Sequence, residues 1–139
     1  MSVLIEQQAA QLDALNIAKE YGALVTLNLR AEGNVVRDSY NSIKSRPTTA
    51  FSLSVSCYPI TYAPTERELV RAGLKEMCDI LVYVPVKALD DAGATYEDID
   101  ITRSSVVLDG RTHRIREKAR VSQFGTVWLY YSLGLALPT

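Results

Sequence analysis

Hydrophobic and polar residues alternate strictly along Phe51-Ser52-Leu53-Ser54-Val55-Ser56-Cys57-Tyr58. Phe51, Leu53, Val55 and Cys57 fall on one face and the serines and Tyr58 on the other, the period of a half-buried strand. The same period runs through Leu24-Val25-Thr26-Leu27-Asn28-Leu29-Arg30, with Val25, Leu27 and Leu29 inward. Asp79-Ile80-Leu81-Val82-Tyr83-Val84 is apolar on both faces, which predicts a central strand or one covered by a helix. Ser105-Val106-Val107-Leu108 and Thr112-His113-Arg114-Ile115-Arg116 flank Asp109-Gly110. An Asp-Gly pair there predicts a tight hairpin whose two central residues take positive φ. Val127-Trp128-Leu129-Tyr130-Tyr131-Ser132-Leu133 supplies one more strand.

Helical spacing appears in two places. Ile5, Ala9, Leu12, Leu15 and Ala18 predict a helix over 3–21 that ends at Gly22. Their narrow, partly alanine stripe suits packing on the chain's own body or on a neighbour. Thr65 to Gly73 predicts a short helix with Thr65 as N-cap and Glu68 completing a capping box. Ala88 to Gly93 reads as a turn or a single helical turn. Pro59 and Pro64 put Ile60-Thr61-Tyr62-Ala63 at an edge or in an extended link. Residues 31–47 are polar, aperiodic and end at Pro47. A connection of that length is usually functional or disordered.

These elements predict a mainly β fold with an N-terminal helix: a small antiparallel β-barrel or sandwich with a long loop and a short inserted helix. The N-terminal helix occupies 1–22 and the β-barrel domain 23–139, with the extended loop at about 31–47. At 139 residues and 47% hydrophobic, the chain fits one domain with a sizeable core.

Charge changes this picture only locally. The net charge is −1, so no global field draws the chain to nucleic acid or a membrane. An acidic zone (Asp90, Asp91, Glu97, Asp98, Asp100) precedes a basic one (Arg103, Arg111, Arg114, Arg116, Lys118, Arg120). Two such faces would suit head-to-tail association into rings, and they equally describe ordinary solvated surfaces. Cys57 and Cys78 read as small buried side chains. No apolar run approaches a membrane span, and no signal-like segment opens the chain.

Candidate chemistry is sparse. The single histidine, His113, lies on a strand with no evident catalytic partner. No His–Cys spacing suggests a metal, no glycine-rich loop suggests a phosphate, and the aspartates match no EF-hand. No catalytic residue, cofactor or metal ligand is assigned. Two basic groups are candidates for contacts. Arg111, Arg114, Arg116, Lys118 and Arg120 form an interface or DNA-facing set. Arg37, Asp38, Tyr40, Lys44 and Arg46 punctuate the long polar loop.

Several runs together resemble a known family. They are Arg37-Asp38-Ser39-Tyr40-Asn41-Ser42-Ile43-Lys44, Tyr58-Pro59-Ile60, Pro64-Thr65-Glu66, Ala72-Gly73-Leu74, Ile80 to Pro85, Asp91-Ala92-Gly93, Asp109-Gly110-Arg111, Gln123-Phe124-Gly125 and Leu129 to Leu135. Across roughly residues 35–137 the chain resembles the head-closure (stopper, or head–tail joining) neck proteins of tailed bacteriophages. The resemblance implies a small β-barrel with long loops, assembled as a homo-oligomeric ring around the DNA channel, with Arg37, Asp38, Tyr40, Lys44 and Arg46 on an extended loop or hairpin that makes inter-subunit or tunnel contacts. The ring would lie between the portal and adaptor proteins and the tail-terminator neck proteins, and help retain packaged DNA. It also implies a place in the virion neck, and in the host cytoplasm during assembly, with non-specific DNA contact and no active site. The long N-terminal helix departs from the family's shortest members and leaves open the stopper or an adjacent neck ring. The competing expectation is a small nucleic-acid-binding β-barrel with Tyr58, Tyr62, Trp128 or Tyr130 as stacking platforms beside Arg114 and Arg116. A weaker one is a small enzyme using Asp and Arg residues.

Overall fold

A computed structural model describes residues 3–32, 36–37, 43–45 and 48–137. Helix α1 (Val3–Tyr21) leads into β1 (Ala23–Glu32), β2 (Val36–Arg37), β3 (Ile43–Ser45), β4 (Thr48–Cys57) and β5 (Ile60–Tyr62). Helix α2 (Glu66–Arg71), strand β6 (Ile80–Pro85), helix α3 (Val86–Asp91) and a 3-10 turn at Tyr96–Asp98 follow. The chain continues through β7 (Ser105–Leu108), β8 (Arg111–Phe124) and β9 (Val127–Leu135). Seven strands form one antiparallel sheet in the order β4-β1-β7-β8-β9-β6-β5, and β2 and β3 form a separate two-stranded pair.

The alternating strands bury the faces their pattern predicts. Val25, Leu27, Leu29, Val55 and Cys57 meet Val82, Val84, Val106, Ile115, Leu133 and Leu135 in the main core. The outer face of β6 and β9 carries a smaller core, in which Leu69, Ala72 and Leu74 pack with Cys78 and Leu81. Thr65 and Glu68 form the expected capping box of α2, and Gly73 takes the positive φ that ends it. Asp109 and Gly110 have φ of 52° and 75° in the β7–β8 turn, the two left-handed residues of a primed turn.

Two features differ from the pattern reading. First, residues 31–47 are not loop throughout. β1 and β4 pair residue for residue from Ala23↔Cys57 to Glu32↔Thr48, and Val36↔Ser45 and Arg37↔Ile43 pair beyond them. Strand β7 pairs with β1 only from Thr26 to Asn28, so the hairpin outruns the sheet. Second, α1 turns a different face inward. Gln7, Ala14, Leu15 and Ala18 are buried, while Ile5 and Leu12 are exposed. The reason is polar: the Gln11 amide donates to the Trp128 carbonyl at 3.0 Å, and Thr126 Oγ1 donates to Gln7 Oε1 at 3.3 Å. These bonds rotate the helix so that glutamines and alanines face the body.

After Cys57 the chain bends through Tyr58-Pro59. The Tyr58 N–H donates to the Tyr83 carbonyl at 3.2 Å, and the Tyr83 N–H to the Pro59 carbonyl at 3.1 Å. Strand β5 continues this pairing with β6, Ile60↔Val82 to Tyr62↔Ile80.

Candidate functional site

Strand β8 carries the basic residues, and a register irregularity between Ile115 and Glu117 divides them. One extra residue in a strand reverses which side chains face which way. Before it, His113 and Ile115 point into the core while Arg114 and Arg116 are exposed. After it, Lys118 lies opposite Leu133 and Arg120 opposite Tyr131, both core residues of β9. Arg114 and Lys118 therefore sit on opposite faces of one strand, and the five basic residues do not form a single patch.

Lys118 and Arg120 are drawn into a contact with Tyr96. The Lys118 ammonium lies 4.1 Å and the Arg120 guanidinium 4.2 Å from the centre of its ring. Lys118 Nζ also donates to the Tyr96 carbonyl at 2.7 Å, and the Tyr96 hydroxyl donates back to the Lys118 carbonyl at 3.2 Å. Burial in this setting lowers the Lys118 pKa, chiefly because the charged ammonium is desolvated. Arg120 pairs with Glu97 at 3.3 Å. That pair joins the acidic zone to the basic one within the chain. Arg103–Asp100 and Lys87–Asp91 use further acidic groups. Asp98 is a cap, accepting the Thr95 N–H at 2.9 Å.

Arg114 and Arg116 line an open cleft of about 380 Å³ with Asp79, Ser104, Ser105, Thr112, His113 and Leu137. Arg116 donates to the Met77 carbonyl at 3.3 Å, and Asp79 accepts the Leu137 N–H at 2.9 Å. His113 is 3% exposed, and its Nδ1 lies 3.0 Å from the Ala136 carbonyl oxygen. A carbonyl only accepts, so Nδ1 carries the proton. The imidazole thereby tethers the chain just after β9. Arg111 stands apart and exposed, next to the β7–β8 turn.

Of the loop candidates, Arg37 lies in β2 and Lys44 in β3, both near the hairpin's far end. Asp38, Tyr40 and Arg46 lie outside the described residues.

The aromatic side chains are likewise distributed. Tyr58 stacks obliquely on Tyr21, ring centres 6.2 Å apart, and the Tyr62 hydroxyl donates to Asp109 Oδ2 at 3.0 Å. Tyr130 pairs with Tyr83 at 5.8 Å, and Trp128 packs against the main core. None of these contacts runs to Arg114 or Arg116, so the four rings do not line one face beside them.

Among the described residues, no group of three or more His, Cys, Asp or Glu is placed to hold a metal ion. Both thiols are buried and free. Burial alone pushes the Cys57 thiol up to about 12, and burial is also the largest cause raising Cys78, the reverse of what a thiolate nucleophile needs.

What the pattern reading missed is a surface of exposed apolar residues beside the end of α1. Tyr21, Leu24, Tyr58 and Tyr62 are all exposed. They come from three separate elements and the Cys57–Ile60 bend, so only the fold assembles them. No family model, curated protein or solved structure matches the chain.

Proposed function

We propose that this chain is a structural subunit of the neck of a tailed bacteriophage. It would form a ring around the DNA channel, join the portal and adaptor to the tail, and help retain packaged DNA. The reading rests on the family resemblance of residues 35–137 together with one structural observation. The β1–β4 hairpin outruns its sheet, with β7 pairing only at Thr26 to Asn28. A paired arm of this kind gives a subunit reach beyond its own body. The distribution of Lys118, Arg120 and Glu97 into internal contacts leaves the arm a better candidate for subunit contact than the charged zones.

The same reading includes a closed barrel. In its favour, β4 borders β1, and the chain directly after β4 bonds to β6 through Tyr58, Pro59 and Tyr83. One bent strand would thus serve both edges of the sheet. DNA contact in the neck would fall to Arg114 and Arg116, and any such contact would be sensitive to salt.

The experiment is to measure particle mass and composition of phage necks or portal complexes assembled with the purified chain. Incorporation at a fixed ring multiple is the expected result. A chain that ignores those particles and binds labelled oligonucleotide in a salt-dependent way would overturn the reading in favour of a nucleic-acid-binding barrel.

A further inference from the structure

On the outer face of the sheet, small polar side chains are linked across three strands. The Ser52 hydroxyl donates to Asn28 Oδ1 at 2.7 Å, and the Asn28 amide donates to Ser105 Oγ at 3.2 Å. The three lie opposite one another in register, Asn28↔Ser52 and Asn28↔Ser105, and Ser105 in turn lies opposite Arg114 of β8. A hydroxyl whose oxygen accepts a bond still has its own O–H to donate. Ser105 therefore ends the chain of bonds with a donor, in the cleft of about 380 Å³ that it shares with Arg114 and Arg116. Ser104 is 4% exposed and lines the same cleft. Its Oγ accepts the Asp100 N–H at 3.0 Å, which again leaves the O–H to donate.

The cleft gathers donors. Thr112, Arg114 and Arg116 alternate along β8 before its irregularity and line the cleft with the two serines. Among the described residues, no carboxylate pairs with either arginine. One bond to the Met77 carbonyl steadies Arg116 and leaves most of its N–H groups to donate. Three hydroxyls and two guanidiniums exceed what the two oxygens of a carboxylate can use, and suit a tetrahedral oxyanion. Asp79, the one carboxylate among the described lining residues, selects within that class. Its Oδ2 accepts the Leu137 N–H at 2.9 Å, and an ionised carboxylate only accepts. It repels an oxyanion that has lost every proton, such as sulfate, and bonds one that keeps an O–H. Free phosphate keeps such a proton at neutral pH, whereas a phosphodiester has none.

We infer that the cleft formed by Ser104, Ser105, Thr112, Arg114 and Arg116 binds one hydrogen phosphate ion, with Asp79 accepting its proton. The hydroxyls and guanidiniums take the ionised oxygens, and the carboxylate reads the protonated one. No second copy contributes to this site, so it stands whether or not the chain assembles in a neck.

The test is isothermal titration calorimetry of the full chain at constant ionic strength, with inorganic phosphate, sulfate, methyl phosphate and dimethyl phosphate as probes. At about pH 8 a monoester, whose second pKa is near 6, has lost its last proton, while inorganic phosphate retains one. Inorganic phosphate should bind one ion per chain, and the other three probes about tenfold more weakly or not at all. Arg114→Gln and Ser105→Ala should each lower phosphate affinity by about tenfold, with melting curves to check that both variants are folded. Asp79→Asn offers an amide donor where the carboxylate accepts. It should strengthen sulfate binding and erase the preference for phosphate, whereas mere damage to the cleft would weaken both ions. An absence of saturable phosphate binding at millimolar concentration would overturn the inference. So would any of the other three probes binding as tightly as phosphate, because attraction to the arginines alone would then explain it. Folded Arg114→Gln and Ser105→Ala variants that bind phosphate as the wild type does would overturn it too.

Discussion

Cys57 closes β4 with its side chain fully enclosed by the main core. Its thiol ionises near 9 when unfolded and is pushed up to about 12 in the fold, because burial disfavours the thiolate. The stability this proton represents is therefore complete below pH 9 and falls as the pH rises toward 12. For one proton the slope is about 1.4 kcal/mol per pH unit. Urea unfolding between pH 9 and 11 should show that extra decline in the wild-type chain relative to Cys57→Ala. Parallel pH profiles would contradict it. Cavity loss in the alanine variant offsets the whole curve and leaves this difference in slope unchanged. Gly110 makes a second prediction at this scale. No atom lies within 4 Å of where its Cβ would stand, but its φ is +75°. Gly110→Ala should then cost about 1 kcal/mol through backbone strain alone, read as a fall of a few degrees in melting temperature. The Asp-Gly pair was legible in the sequence because its conformational demand is local. The His113 tether was not, since the Ala136 carbonyl it meets is 23 residues away.

At the scale of elements, strands were read better than the faces of helices. Alternation in Phe51–Tyr58 and Leu24–Arg30 reports burial directly, because one face of each strand meets the core and the other does not. Helix α1 shows how the same logic fails. Its apolar spacing pointed Leu12 inward, but two glutamines found acceptors and donors on the β8–β9 turn and on β9, and their bonds set the rotation. Hydrophobic periodicity cannot register a polar group whose partner lies more than a hundred residues away. The break in β8 was also invisible, since Arg114, Arg116, Lys118 and Arg120 alternate as if they shared one face. Deleting Arg116 would remove the extra residue and join Ile115↔Leu135 directly to Glu117↔Gly134, leaving Lys118 opposite Leu133 and Arg120 opposite Tyr131. The Tyr96 contacts should therefore survive, and the expected result is a loss of no more than about 3 kcal/mol. Thermal unfolding measures it, and a variant that does not fold would mean that the irregularity does more than set the facing of β8.

For the molecule as a whole, the arm and the body can be separated. Glu32↔Thr48 is a direct strand pair, and a two-residue Asn-Gly connection suits a tight hairpin closing there. Replacing 33–47 in this way should leave circular dichroism and melting temperature close to wild type while abolishing incorporation into necks. Normal incorporation would show that the arm serves another purpose. The candidate loop was legible only as an anomaly of length and polarity. The pairing of Val36 with Ser45 and of Arg37 with Ile43 depends on register that one-dimensional patterning does not carry.

The bonds that seat α1 also impose an order in time. Gln7 and Gln11 meet Thr126 and Trp128, partners separated from them by 119 and 117 residues. Gly125 permits the approach, because a Cβ there would overlap the Gln7 amide. During synthesis the first helix emerges long before the hairpin that receives it. Until β9 leaves the ribosome, its glutamines have only water to bond, and its alanine face has no surface to cover. A nascent chain arrested before residue 125 would carry an undocked leading helix, open to proteases that the finished protein resists. The helix made before the strands is thus secured after them, and its protection is a measure of whether the β8–β9 hairpin has formed.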